Sequence, residues 1–462
     1  MQDIRAADLM DKFSLSHASG SLDARFDHIS HDSRTCRSGS LFVAIPGTHT
    51  DGNRYIDEAI ANGATVVVSS KAVHGFSDIP ILLTDSPRTF LSQVSAWFYR
   101  SSSTDMRIIG ITGTDGKTST CYAAYQLFNR LGINTGMLST VYLDEGVGIT
   151  QRHDRITTPE APAVHQFIRH AADNGCRAVL LEASSHGLSH ATSRLADVVF
   201  DAAVLTSLTS DHLDFHQTRG QYIEDKMNLF RQLKHPDSPA LLPEDLIISI
   251  PKGKRFTWEV SAQHSSCPPF FQRNINAAKT LAAVLYAKNR QQIEDACSDI
   301  ALPAGRWKVH RINSRECIID YAHTPDAFSN VFSYIKEIYP NRRIISLFGA
   351  AGERDASSRP KMGQEAAKGS TVVIITSDDP RNDDPVKTYE QICGMLSMSD
   401  RKKFSLHPDR RQAIAHAASI SQPGDVLLFL GKGHEKSQII RDTALPWDEL
   451  EEITTAMRRT WG

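Results

Sequence analysis

The sequence predicts an α/β protein of three domains: a small N-terminal α/β domain, a central P-loop domain on a mostly parallel sheet, and a C-terminal Rossmann-like, doubly wound domain. Three observations predict it. At 462 residues the chain is too long for one ordinary core. Short apolar, β-rich runs alternate with segments of helical period throughout, as in parallel sheets with helical crossovers. A glycine-rich turn at residues 107–120 joins a buried strand to a helix start. The composition is that of a soluble globular protein, 40% hydrophobic and 23% charged with formal net charge −2. That balance offers no basic excess for nucleic acid or an anionic membrane surface. No apolar run approaches the ~20 residues that span a bilayer. The N-terminus lacks the basic-then-apolar form of a signal peptide. Cys36, Cys121, Cys176, Cys267, Cys297, Cys317 and Cys393 are dispersed, with no Cys-x-x-Cys pair, which reads as reduced thiols in a cytoplasmic protein.

Residues 1–103 form the first expected domain. Strands are predicted at 41–45, 65–68 and 81–83, with a helix from Tyr55 to Asn62 ended by Gly63. Ser30-His-Asp-Ser-Arg34 and Pro46-Gly-Thr-His-Thr-Asp-Gly52 are polar loops that turn chemistry alone explains. The polar stretch 99–105 reads as a linker.

Residues 104–303 form the second. In Arg107-Ile-Ile-Gly-Ile-Thr-Gly-Thr-Asp-Gly-Lys-Thr-Ser-Thr120, Ile108, Ile109 and Ile111 make a short strand. Gly113 and Gly116 let the backbone bend tightly and approach an anion, with Thr114, Asp115 and Ser119 in the same turn. Lys117 is placed to meet phosphate charge, Thr118 to offer a hydroxyl to magnesium, and the following helix directs its N–H groups at the same anion. The general P-loop pattern has a glycine where Ile111 stands. The shorter form, Thr112-Gly-Thr-Asp-Gly-Lys-Thr118, points to one group of ATP-dependent ligases. The strand 178–182 ends in Glu182, beyond the carboxyl edge where ligands gather on parallel sheets. A strand is predicted at 197–206, and the loop after it carries Asp211, His212, Asp214 and His216. By spacing alone this loop fits a metal site and a solvated turn equally well. In the helix predicted from Gln221 to Leu233, Lys226 lies amid Glu224, Asp225 and Met227, the setting of a surface lysine.

Residues 304–462 form the third. Strands at 318–320, 344–348, 372–376 and 426–430 alternate with helices near 360–368, 386–397 and 409–419. Each strand runs into a loop rich in functional groups, at 321–326, 349–355, 377–381 and 431–435. Four such loops on one sheet edge point to a binding face.

These strings together resemble the Mur ligases, and within them the MurE type, the UDP-N-acetylmuramoyl-dipeptide:amino-acid ligases or tripeptide synthetases of peptidoglycan synthesis. Thr112-Gly-Thr-Asp-Gly-Lys-Thr118, Glu182-Ala-Ser-Ser-His186, Asp211-His-Leu-Asp214, Asp320-Tyr-Ala-His-Thr-Pro325 and Gly431-Lys-Gly-His-Glu435 carry the resemblance. Asp32-Ser-Arg34 and Asp51-Gly52 look like the UDP-binding N-terminal domain, which folylpolyglutamate synthetases lack. The resemblance implies ATP-dependent amide synthesis through an acyl phosphate, by a monomer acting on small molecules. It implies that Lys117 and Thr118 serve the β/γ-phosphates with one magnesium, that Glu182 and His212 hold a second, and that Lys226 carries a carbamate. Asn276 is then the adenine reader, and Arg306 and Asp320 reach the nucleotide from the third domain. Ser33, Thr157, Thr158, Ser184 and Arg194 correspond to contacts with the UDP-muramoyl dipeptide. Arg354, Asp379, Arg381, Gly431 and Glu435 correspond to the pocket for the added amino acid. The Asp-x-Pro-Arg form goes with meso-diaminopimelate, whose distal carboxylate Arg381 would grip in two-pronged fashion and whose distal ammonium Glu435 would bind.

Several positions depart from the family pattern. Asp115 and Asp379 stand where Asn is usual, Thr206-Ser-Leu208 replaces Thr-Asn-Leu, and Ser358-Arg-Pro360 replaces Lys-Arg-Pro. Between about 235 and 270 the usual strands are not evident. These departures leave two further readings beside the first: a diverged ligase for another amino acid or acyl acceptor, and a non-catalytic nucleotide-binding homologue. Retention of Lys117, Thr118, Glu182, His212 and Lys226 argues against the last.

Overall fold

The computed structural model describes residues 4–47, 50–73, 75, 78–154, 156–209, 213–260, 267–354 and 356–462. Three main sheets follow one another along the chain. The first has five strands in the order Ser16–Ser19, Ile81–Leu83, Ala64–Ser69, Ser40–Val43, His28–Ser30, all parallel except the first. Val66, Val68, Leu41 and Val43 project to one face, where they pack on Phe90, Leu91 and Val94 of the helix Pro87–Tyr99.

The second sheet has eight strands. Its middle is Thr135–Leu138, Ala178–Glu182, Arg107–Thr112, Ala202–Leu205, Pro239–Pro243 and Lys254–Trp258, all parallel. A short antiparallel extension, Tyr142–Asp144 and Thr150–Gln151, closes one edge. Both faces of the P-loop strand are buried, Ile109 and Ile111 on one core and Ile108 on the other, which is why it reads as a nearly unbroken apolar run. Two strands that the sequence did not make evident lie between 235 and 270. Pro239 and Pro243 bound the first, and Lys254-Arg-Phe-Thr-Trp258 is mostly exposed at the sheet edge, so neither displays a strand's apolar signature. The strand after Glu182 is also shorter than expected, Ala202–Leu205 rather than 197–206, with Phe200 making only an isolated bridge to Leu233.

The third sheet has six strands: Lys308–Ile312, Arg315–Asp320, Val426–Leu430, Ile344–Phe348, Val372–Ile375 and Phe404–Leu406, parallel after the first. Helices Pro325–Ile338, Arg359–Gly369 and Pro385–Cys393 cover one face, and Arg410–Ile420 and Glu449–Trp461 the other. No helix among the described residues is long and apolar enough to cross a membrane. None of the seven cysteines is in a disulfide.

The first two sheets meet through the helices Pro87–Tyr99 and Ala161–Asp173. At that seam His165 is fully buried, its Nδ1 2.7 Å from Ser101 Oγ. Burial pushes this imidazole down to about 3, so it is neutral in the folded protein.

Candidate active site

The P-loop turn is shaped by two glycines with positive φ, Gly113 at +148° and Gly116 at +85°. A Cβ at Gly113 would lie 2.0 Å from Thr206 Oγ1, and one at Gly116 2.7 Å from Asn274 Oδ1. Gly116 caps the helix Lys117–Arg130. Lys117 Nζ donates to the carbonyls of Gly113 at 3.1 Å and Thr114 at 2.9 Å, resting its charge on the loop's own backbone. Thr118 Oγ1 donates to Glu182 Oε1 at 2.9 Å, and the other carboxylate oxygen of Glu182 accepts from Thr140 N–H at 2.8 Å. Glu182 pairs in register with Ile111 on the neighbouring strand, which runs through the glycine turn into the helix that carries Thr118. A buried set of one hydroxyl and one carboxylate, oxygen donors only, suits a hard cation such as magnesium.

Lys226 is buried rather than a surface lysine. It sits on the inner face of the helix Arg219–Arg231, with Nζ 2.7 Å from the Gly113 carbonyl and 4.5 Å from the Tyr222 ring centroid. Tyr222 in turn bonds Thr114 Oγ1 at 2.9 Å. One position before Lys226, Asp225 accepts from His216 Nδ1 at 2.8 Å, while His216 Nε2 lies 2.9 Å from Ser185 Oγ. This buried chain ties the Lys226 helix to the loop after Glu182. Beside it, burial first, then the charge of His216, Arg354, Arg194 and Lys226, pushes His186 down to about 4. Asp211, His212 and the side chain of Asp214 lie outside the described residues.

Two cavities adjoin the P-loop. The first, about 320 Å³, runs between Gly116, Ser119, Phe271 and Asn274 on one side and Arg306, Asp320, Asp326 and Val331 on the other. The Arg306 guanidinium lies 4.5 Å over the Tyr321 ring. Asp320 is buried and accepts from Trp307 N–H at 2.8 Å and Ala322 N–H at 2.7 Å. Burial outweighs the opposing pull of Arg306 and these two donors and raises its pKa. Asn276 is not at this cavity: its amide donates to the Glu259 carbonyl and its oxygen accepts from Gln272. On the helix Pro269–Tyr286, residues two apart lie about 200° apart around the axis. Asn274 therefore faces the P-loop, where it accepts from Thr120 Oγ1 at 3.2 Å, and Asn276 faces away.

The second cavity, about 490 Å³, brings together Lys117, Thr118, Thr140, Thr157 and Glu182 with Arg306, Arg354, Asp379, Arg381, Gly431 and Glu435. Residues from two sheets, expected separately to bind phosphate and amino acid, thus share one space. Thr158, Ser184 and Arg194 cluster behind Glu182. Thr158 Oγ1 donates to the Glu182 carbonyl at 2.9 Å and lies 3.0 Å from Ser184 Oγ, and Arg194 donates to the Thr158 carbonyl at 2.9 Å. Ser33 stands apart in the first domain, at the start of the 3-10 turn Ser33–Thr35, its hydroxyl given to Glu58 at 2.9 Å.

Behind Asp378, Asp379 and Glu435, which line the second cavity, Lys432 is wholly buried, with Nζ 2.7 Å from Glu435, 2.8 Å from Asp379 and 3.5 Å from Asp378. Burial pulls this ammonium down, but the carboxylates outweigh it and hold its pKa above the ordinary lysine value. Gly431 has φ +100°, and a Cβ there would meet Asp378 Oδ2 at 2.6 Å. Arg381 adopts φ +49°, unusual for a side-chain-bearing residue, and is fixed there by backbone bonds to Ile439 and Arg441. Asn274 and Lys432 were both missed as site residues by sequence reasoning. Lys432 was legible only as part of Gly431-Lys-Gly-His-Glu435.

Comparison with known proteins agrees with this arrangement along the whole chain. The Mur ligase middle-domain family matches residues 111–288, the Mur ligase glutamate ligase domain 305–433, and the Mur ligase family catalytic domain 25–87. The UDP-N-acetylmuramyl-tripeptide synthetase of Borreliella burgdorferi is 34% identical, covering 95% of this chain and 94% of the relative. The chain belongs to the Mur ligase family. It is also 33% identical to the UDP-N-acetylmuramoyl-L-alanyl-D-glutamate--2,6-diaminopimelate ligase of Cytophaga hutchinsonii, over 96% of each chain. A solved structure of a ligase of that same description superposes with TM-score 0.60 at 26% identity, covering 99% of both chains. This Mur ligase is accordingly an ATP-dependent ligase of three-domain α/β architecture, similar over nearly its whole length to tripeptide synthetases.

Proposed function

We propose that this Mur ligase joins an amino acid to the D-glutamate of UDP-N-acetylmuramoyl-L-Ala-D-Glu, acting as a cytoplasmic monomer whose domains divide near residues 103 and 303. One observation carries the reading: a single cavity holds Lys117, Thr118 and Glu182 opposite Arg381 and Glu435. ATP enters as substrate, with the amides from Gly113 to Ser119 and the Lys117 ammonium around its phosphates and Asn274, Arg306 and Asp320 around its nucleoside. Thr118, Glu182 and His212 would hold magnesium, which supplies positive charge to a reaction between anions. A carbamate on Lys226 would give that buried helix position the anionic character a cation prefers. The muramoyl dipeptide lies along Thr157, Thr158, Ser184 and Arg194, with Ser33 serving its uridine end.

The dipeptide carboxylate attacks the γ-phosphorus and ADP departs, leaving an acyl phosphate. The incoming amine attacks the acyl carbon, and the tetrahedral intermediate expels inorganic phosphate. Lys117 exchanges its carbonyl partners for phosphate oxygens whose charge shifts during the first step. Arg381 receives a distal carboxylate and Glu435 a distal ammonium, the pair that meso-diaminopimelate presents. The Asp379 carboxylate, bonded to Lys432, favours a second reading in which a different amino acid enters. The test is phosphate release from ATP with the muramoyl dipeptide against a panel including meso-diaminopimelate and L-lysine. Release that needs both dipeptide and diaminopimelate is the expected result. Release with another amino acid would reassign the pocket, and none with any would remove the muramoyl acceptor.

A further inference from the structure

The turn that carries Lys117 also reaches out of its own sheet. The main chain of Asp115 is pinned within the central sheet: its N–H donates to Ser207 Oγ at 2.9 Å, and its carbonyl accepts from Thr206 Oγ1 at 2.5 Å and Ser207 Oγ at 3.0 Å. Its carboxylate goes elsewhere. Asp115 Oδ2 accepts a hydrogen bond from Thr324 Oγ1 at 3.1 Å, across 209 positions of sequence. Thr324 is buried and is the N-cap of the helix Pro325–Ile338, its Oγ1 accepting from Ala327 N–H at 3.2 Å. With that lone pair used by the cap, the hydroxyl hydrogen is directed to Asp115. The carboxylate thus lies at the positive end of a 14-residue helix, where negative charge is favoured. Asp320, four residues before Thr324, accepts from Trp307 N–H and so holds the Arg306–Trp307 segment in the same rigid unit.

We propose that Asp115 and Thr324 are a positioning pair that seats Arg306 and Asp320 over the P-loop, so that a nucleotide is grasped from both sides of the 320 Å³ cavity. The proposal rests on the reading of that cavity as the ATP site. Asp115 directs its charge at a helix end in the third domain, so an acid where Asn is usual is a docking group rather than a repulsive neighbour of phosphate. Neither residue touches reacting atoms; both act by placing others.

The test uses the full-length enzyme. Thr324→Asp keeps a good N-cap but sets two carboxylates against each other. Adding Asp115→Asn restores a bond, the new amide donating to the new carboxylate. Affinity for a non-hydrolysable ATP analogue, KM for ATP, kcat and the radius of gyration in solution are measured, with melting temperature as the folding control. Thr324→Asp should weaken analogue binding and raise KM about tenfold, with kcat at saturating ATP within about threefold. The radius of gyration should grow and the melting temperature hold. The double variant should recover to within about twofold of wild type. Unchanged affinity and KM in Thr324→Asp, or a double variant as impaired as Thr324→Asp, would overturn the pairing. If Thr324→Asp lowers the melting temperature, Asp115→Ala leaves the cap intact and carries the same expectations. A wild-type enzyme that binds the analogue yet releases no phosphate with any acceptor refutes the ligase reaction assigned above, while analogue affinity still decides the pair.

Discussion

Lys117 illustrates how a single side chain is held ready. Its ammonium satisfies two backbone carbonyls of its own turn, and phosphate oxygens offer charged acceptors in their place. Lys117→Ala should therefore lower kcat by about 10²–10³-fold, read from phosphate release, with folding intact. Lys226 is the contrasting case. Lys117 was legible because glycine spacing and the strand-turn-helix order announce it. Lys226 was legible only through the resemblance to the Mur ligases, since Glu224 and Asp225 around it give the local pattern of a solvated helix face. Its burial is set by the distant P-loop, which local sequence does not display. Lys226→Ala should abolish turnover while the melting temperature changes little. His165 supplies a pH dependence with a definite sign. Its folded-state value of about 3 lies below the ordinary 6.5, so the unfolded chain binds a proton that the folded protein refuses. Stability is then full above about pH 7 and falls as pH drops from 6.5 toward 3, by about 2 kcal/mol at pH 5. Urea midpoints at pH 7.5 and 5, in wild type and His165→Gln, check this; the substitution should flatten the slope.

At the scale of elements, the central strands of the second and third sheets were legible because they are buried on both faces and read as unbroken β-rich runs, whereas Thr135–Leu138 and Phe404–Leu406 were not read as strands. Ile344–Phe348 and Val426–Leu430 begin and end where their apolar residues do, and Ala178–Glu182 runs one residue beyond its apolar run. The strands Pro239–Pro243 and Lys254–Trp258 escaped because proline and edge exposure erase that signal. The helix Pro269–Tyr286 turns Asn274 toward the first cavity and Asn276, the residue that the resemblance names, away from it, because two asparagines two positions apart cannot share a face. Asn274→Ala should raise KM for ATP several-fold and Asn276→Ala should leave it unchanged, a comparison that initial rates settle. The P-loop bend allows a sharper expectation. At Gly113 an added Cβ meets Thr206 Oγ1, which is itself bonded to the carbonyls of Thr112 and Asp115 and cannot turn aside. Gly113→Ala should cost about 1–3 kcal/mol in backbone strain and abolish ATP turnover, visible together as a lowered melting temperature and lost phosphate release.

Across the whole molecule, the candidate site is made from two sheets facing each other over one cavity. The residues themselves showed which loops are rich in functional groups, whereas the reach of the third domain to the nucleotide followed only from the family resemblance, since it depends on contacts such as Asp115 with Thr324. Arg381→Ala should weaken binding of an amino acid with a distal carboxylate by about 2 kcal/mol, leaving KM for ATP unaltered. Unchanged discrimination between meso-diaminopimelate and L-lysine would remove Arg381 from substrate selection. The register of Glu182 with Ile111 has a consequence at this scale. Glu182 and the strand that runs through the P-loop turn into the helix of Thr118 belong to one hydrogen-bonded lattice, so the separation of Thr118 and Glu182 does not depend on where the third domain swings. Phosphoryl chemistry and amine choice are therefore mechanically modular: a graft that replaces everything after about residue 303 with the corresponding part of another Mur ligase should inherit the donor's amine while keeping this chain's acyl acceptor.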